Sequence, residues 1–141
     1  MHLITDHLAV GNSDDAANPH WLMSAILNVA LESTIVPPQG RSYHWIPFAE
    51  FAEANPLQLD EAVSWLEQQR GSRLLICCRA GIGRSVSVAI AYLCLVKGLP
   101  YTKASALVAA QRPGALPLPE LESTIRFVRD LRQKRLLGLH A

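Results

Sequence analysis

A chain of 141 residues, half of them hydrophobic, is long enough for one domain with a sizeable core and too short for a comfortable second one. Thirteen basic and twelve acidic residues leave a formal net charge of +1, which singles out neither nucleic acid nor an anionic membrane as the main partner. Three cysteines, two of them adjacent, do not make a disulfide framework, and the first residues lack the basic region and long apolar stretch of a secretory signal, so a soluble, cytoplasmic protein is expected.

In chain order, residues 3–5 and 8–10 predict two short strands joined at Asp6-His7 and ended by Gly11-Asn12. Asp14 and Asp15 read as solvated charges on the following loop or first helical turn. A short helix is expected over 19–23, with Asn18 as its cap and Pro19 at its first position. Residues 25–30 form a continuous apolar run that suits a strand covered on both faces, which favours α/β. Residues 31–41 contain Pro37, Pro38 and Gly40 and are taken mostly as loop. Residues 43–47 predict a strand in which His44 is a structural histidine. A helix over 56–70 places Leu59, Ala62, Val63 and Leu66 on one face, with Gly71 beyond its end.

Residues 74–77 read as a buried strand and 86–96 as a buried helix closed by Gly98 and Pro100, too short to span a bilayer. Another helix is expected over 102–111. Pro117, Pro119 and Glu120 start a last one running to about Leu137, with Leu121, Ile125, Val128 and Leu131 or Arg132 along one side and a solvated basic end. Strand, helix and strand in succession make a right-handed parallel crossover the default. The expected architecture is therefore α/β, a central, mostly parallel sheet flanked by helices, with residues 1–141 as one domain.

The chemistry concentrates where Leu74-Leu75-Ile76-Cys77 breaks into Cys78-Arg79-Ala80-Gly81-Ile82-Gly83-Arg84-Ser85. A loop between a strand and a helix sits at the helix N-terminus, where unpaired amides and the helix dipole both favour an anion. Gly81 and Gly83 let the backbone turn with its N–H groups inward, so Arg79, Ala80, Gly81, Ile82, Gly83 and Arg84 form a candidate phosphate cradle. Arg84 can add a bidentate fork to the same dianion. Cys78, under this positive well, is the candidate nucleophile, and Ser85 can cap the helix and donate to the sulfur.

Strand alternation turns Cys77 to the other side from Cys78, as a packing thiol. A redox role, with oxidised Cys78 trapped by Cys77 or Cys94, is the lesser reading because adjacent cysteines rarely reach relaxed disulfide geometry. His2, His7, His20, His44 and His140 lack zinc-site spacing, and no metal or cofactor is expected. Gly81-Ile82-Gly83 is not a dinucleotide fingerprint, since Val86 stands where a third glycine is needed.

Cysteine, five residues, arginine and then serine resembles the protein tyrosine phosphatases, and the chain is similar to a small dual-specificity protein phosphatase of that superfamily. The likeness extends over Asp6-His7-Leu8-Ala9-Val10-Gly11, Ala25-Ile26-Leu27-Asn28-Val29-Ala30, Ile46-Pro47-Phe48, Ala91-Tyr92-Leu93 and Ala109-Ala110-Gln111-Arg112-Pro113. It implies a protein tyrosine phosphatase-like fold and hydrolysis of phosphotyrosine, with phosphoserine and phosphothreonine as further substrates, through a cysteinyl-phosphate.

Two positions depart from the family. It has a histidine immediately before the nucleophile, which supports the loop and lowers the thiol pKa, and Cys77 stands there. Its general acid is an aspartate shortly after the Ile-Pro segment; Glu50 lines up best, with Glu53 and Asp60 as alternatives. A phosphate-binding pseudophosphatase remains the competing reading, as does a phosphatase of a non-protein phosphate such as a phosphoinositide. Ile82 is apolar where phosphoinositide-directed relatives carry another basic residue, although Arg79 leaves room for a second phosphate. The implied partner is a phosphorylated protein, with neither nucleic acid nor membrane, and the chain is expected to act as a monomer.

Overall fold

The computed structural model describes residues 1–20, 22–32, 35–36, 39–69 and 71–138. Five strands form one sheet in the order β1-β2-β5-β3-β4, where β1 is His2–Thr5, β2 Leu8–Gly11, β3 Ala25–Ala30, β4 Ser42–Phe48 and β5 Leu74–Cys77. Only β1 and β2 pair antiparallel; β5 runs parallel to both neighbours, with Ile76 opposite Val10 on one side and Leu27 on the other. The mostly parallel sheet is thus present as expected. Its central strand ends where the chain must leave between two parallel neighbours, the crevice in which open α/β sheets place their sites.

Alternation along β5 sorts the two cysteines. Leu74, Ile76 and Cys78 face the large core, whereas Leu75 and Cys77 face a smaller cluster with Ala9, Ala16, Met23 and Ile26. The large core is covered by α2 (Pro56–Gln68), α3 (Arg84–Leu95), α4 (Tyr101–Gln111) and α5 (Leu121–Leu136). Residues 84–94 of α3 are all buried, so this helix has no solvent face and its register beneath the cradle is set by packing on every side. Asn55 caps α2 by accepting from the amides of Leu57 and Gln58.

The expected helix over 19–23 is not formed; residue 21 lies outside the described residues, and the helix of this region is α1, Ser13–Ala17. Asn12 and Asp15 make a reciprocal capping box, each side chain accepting from the other's backbone amide at 2.9 Å. Asn18 closes α1 at its C-terminus, and Pro19 then ends a helix instead of starting one. The aspartate is therefore a cap, and not merely a solvated charge.

The basic end of α5 also differs from a solvated turn. Arg132 donates to Asp60 (3.2 Å), Ser64 (3.1 Å) and Glu67 (2.9 Å), and Arg135 to Asp60 (2.7 Å), which ties α5 across α2. His44 stacks on Trp65 with 5.7 Å between ring centroids and lies 2.9 Å from Glu61, the structural role expected of it. Among the described residues no helix is long and apolar enough to cross a membrane.

Candidate active site

Leaving β5, the chain places Cys78 at the floor of a cleft of about 510 Å³, with its side chain 2% exposed. The Cys78 amide donates to the carbonyl of Gly11 at the end of β2, which anchors the start of the loop to the sheet. Around the sulfur converge the amide of Gly81 at 3.2 Å, the amide of Ser85 at 3.4 Å and the hydroxyl of Ser85 at 3.2 Å. Three groups able to donate to one sulfur suit a negatively charged thiolate.

The loop's carbonyls are held away from the cleft. Arg112, at the end of α4, donates through Nε to Gly81 O at 2.9 Å and through Nη2 to Ala80 O at 3.3 Å. The carbonyl of Ile82 accepts from the amide of Leu116 at 2.7 Å. In a trans peptide the N–H points opposite to the C=O, so these three bonds turn the amides of Gly81, Ile82 and Gly83 inward. Gly81 has φ +75°, and a Cβ there would meet the Gly11 carbonyl at 2.6 Å, so only glycine fits. The signal for Arg112 was in the sequence, a lone arginine between an alanine-rich helix and Pro113, but its partners lie 31 residues away and no local pattern names them.

Arg84 opens α3 with its side chain 2% exposed. Glu32 grips it end-on, accepting from Nη1 at 2.6 Å and from Nη2 at 2.8 Å, and Phe48 O accepts from Nη1 at 3.2 Å. Of the guanidinium's five N–H donors these contacts use three, which leaves Nε–H and one hydrogen of Nη2 as a parallel side-on fork for an anion. The ion pair lowers the Glu32 pKa to about 2, mainly through the hydrogen bond to Arg84, and raises that of Arg84. Glu32 was missed in the sequence reading because it lies 52 residues before its partner, in a stretch with no periodic pattern.

Glu50 follows β4 and lines the cleft, with a carboxylate oxygen 3.9 Å from Arg84 Nη2 and its side chain 42% exposed. Glu53 is exposed and is not among the residues lining the cleft. Asp60 is removed as a candidate acid because both of its oxygens are held by Arg132 and Arg135 at the α2–α5 contact. Arg79 borders a separate polar recess with Asp14 and Glu32, so the second phosphate envisaged for it would meet two carboxylates.

Cys77 is fully buried, and burial first, then the charges of Cys78 and Asp15, push its thiol up to about 12. It is a packing thiol, as expected. Cys94 lies nine residues beyond Ser85 on α3, about 13 Å along the helix axis, too far to trap oxidised Cys78.

A buried cysteine under inward amides, closed by an arginine, defines a phosphate-handling site of the cysteine nucleophile type. The family model described as "Dual specificity phosphatase, catalytic domain" matches residues 12–135. Dual specificity protein phosphatase 1B of Arabidopsis thaliana is 30% identical over 130 residues, covering 87% of this chain and 78% of the relative. Dual specificity protein phosphatase 22-B of Danio rerio is 30% identical over 123 residues, covering 83% and 67%. Among solved structures, human DUSP28 superposes with a TM-score of 0.83 at 23% identity, covering 96% of this chain and 99% of that one. DUSP15 gives 0.76 at 23% identity, with 94% of each chain covered. The chain belongs to the dual specificity phosphatase catalytic-domain family, and its fold is that of the protein tyrosine phosphatases.

Proposed function

We propose that residues 1–141 act as a single cytoplasmic, monomeric catalytic domain that dephosphorylates proteins at phosphotyrosine, and also at phosphoserine and phosphothreonine, with Cys78, Arg84, Ser85 and Glu50 as its catalytic residues. The observation that carries this reading is the convergence on Cys78 Sγ of the Gly81 amide and of the amide and hydroxyl of Ser85, inside the cradle that ends at Arg84.

In the first step the Cys78 thiolate attacks phosphorus in line, the S–P bond forms and the P–O ester bond breaks. Glu50, protonated, gives its proton to the departing oxygen. The amides of the cradle and the side-on fork of Arg84 hold the equatorial oxygens, already oriented before charge moves onto them. In the second step Glu50, now a carboxylate, takes a proton from water as the water attacks phosphorus. The S–P bond breaks, inorganic phosphate leaves, and the Ser85 hydroxyl donates to the returning thiolate.

The test is phosphate release from phosphotyrosine, phosphoserine and phosphothreonine peptides, phosphoinositides and RNA 5′-triphosphate, with Cys78→Ser as the blank. Turnover of phosphopeptides by the wild type, absent from Cys78→Ser, is the expected result. Binding of phosphopeptides without release of phosphate would leave the pseudophosphatase reading in its place, and release from phosphoinositides alone would move the substrate to lipid.

A further inference from the structure

We propose that the cleft selects an aryl phosphate, phosphotyrosine, through an apolar clamp formed by Phe51 and Leu116 above Cys78; this rests on reading Cys78 as the nucleophile. Both side chains line the cleft whose floor carries Cys78 and Arg84, yet Phe51 is 80% and Leu116 65% exposed. A single exposed apolar side chain needs no explanation. Here two of them border one cavity, and the remaining wall is Ile82, Pro117, Leu118 and Pro119.

The backbone supports the same conclusion. Phe51 sits at φ +60°, in the left-handed region that a bulky side chain rarely adopts. Such strain persists where the surroundings impose it and gathers at functional loops. Its position directly after Glu50 means that the turn presenting the carboxylate also presents the ring. Leu116 is fastened to the cradle by its amide bond to Ile82 O, and its own carbonyl lies 3.5 Å from where a Cβ on Gly83 would be.

The geometry of the floor then discriminates among phosphomonoesters. With Cys78 and Arg84 each only 2% exposed, phosphorus must descend to the sulfur while the peptide stays outside. Phosphotyrosine places a flat ring between phosphate and backbone, and that ring fills the apolar wall. Phosphothreonine offers one carbon at that depth and leaves the wall wet. A polyphosphorylated headgroup is disfavoured because Arg84 is the only cation among the described residues lining the cleft, and Glu32 and Glu50 lie beside it.

The experiment compares peptides of one sequence carrying phosphotyrosine or phosphothreonine, by kcat/KM with active enzyme and by Kd with Cys78→Ser, in otherwise wild-type, Phe51→Gly and Leu116→Ala backgrounds. Glycine accepts the positive φ at position 51, so Phe51→Gly should melt no lower than the parent. The parent should favour phosphotyrosine at least tenfold. Each variant should narrow that preference by about three- to tenfold, the scale of one aromatic or apolar contact, with the loss in KM and Kd for phosphotyrosine. Equal use of the two peptides by the parent, or a preference unchanged in both variants, would overturn the clamp. If nothing is turned over, an activated aryl phosphate included, the phosphatase reading falls and the Kd ratio alone decides the clamp.

Discussion

Removing Glu32 tests whether the cradle's arginine is held in place or merely buried. Glu32→Ala deletes both end-on acceptors of Arg84 and leaves a guanidinium that is 2% exposed with Phe48 O at 3.2 Å and the Glu50 carboxylate at 3.9 Å. The carboxyl falls from 4.5 to about 2 on folding, which at full burial would correspond to about 3 kcal/mol. The side chain is 34% exposed, so solvent screening reduces the contribution to about 1–2 kcal/mol. For a domain of this size that is a loss of roughly 3–10 °C in melting temperature. Because the folded-state pKa lies below the unfolded one, the contribution is complete above about 4.5 and is lost as pH falls through about 2. The assay is thermal melting of wild type and Glu32→Ala from pH 7 downward, reading the difference so that other titrations cancel. The gap should be constant at neutral pH and close in acid, and kcat should fall with it because the side-on fork loses its orientation. A gap independent of pH, or a variant with wild-type kcat, would refute the view that Glu32 sets the pose of Arg84.

Arg84→Lys should lose most of its kcat although the charge is retained, because a point ammonium offers neither the end-on pair to Glu32 nor the side-on fork; wild-type-like kinetics would remove the bidentate role. Cys77→His restores the residue the family has before its nucleophile, but the site is a fully buried pocket among Ala9, Ala16, Met23, Ile26 and Leu75. It should therefore cost about 1–3 kcal/mol from overpacking, seen as a lower melting temperature, even if it speeds alkylation of Cys78 in mild acid; undiminished stability would show that the pocket adapts. Glu50→Gln should slow hydrolysis of a phosphotyrosine peptide far more than that of an activated aryl phosphate, since a general acid matters most for a poor leaving group. If Glu53→Gln shows that dependence and Glu50→Gln does not, the acid moves to Glu53.

What could be read without coordinates was what is local in the chain. A nest at a helix N-terminus needs consecutive residues of the right kind, so residues 78–85 announced the cradle, and the period of two in β5 announced which cysteine faces it. The capping box of Asn12 and Asp15 was equally local, but Asn18-Pro19 carried an apparent start signal of its own, and the two patterns competed for one short helix. The residues that finish the site obey no local rule. Glu32 reaches Arg84 because β3 lies beside β5 in the parallel sheet and its pairing with β4 shifts register between Asn28 and Ala30, just before the chain runs on to Glu32. Arg112 reaches the loop from the end of α4, after α3 has carried the chain away from the cradle and back.

This division has a chemical consequence. The cradle's amides supply a fixed field that any sequence of this loop pattern would possess, whereas the balance of charge around it depends on what distant segments bring. Glu32 and Glu50 both lie against Arg84, one bonded and one at 3.9 Å, so the guanidinium meets an incoming dianion with a good part of its charge already countered. Affinity for phosphate alone is thereby limited, and selection passes to what the rest of the substrate contacts. Within the cleft those contacts are Phe51, Ile82 and the wall at Leu116 to Pro119, which makes the leaving group rather than the phosphate the part of the substrate on which discrimination turns.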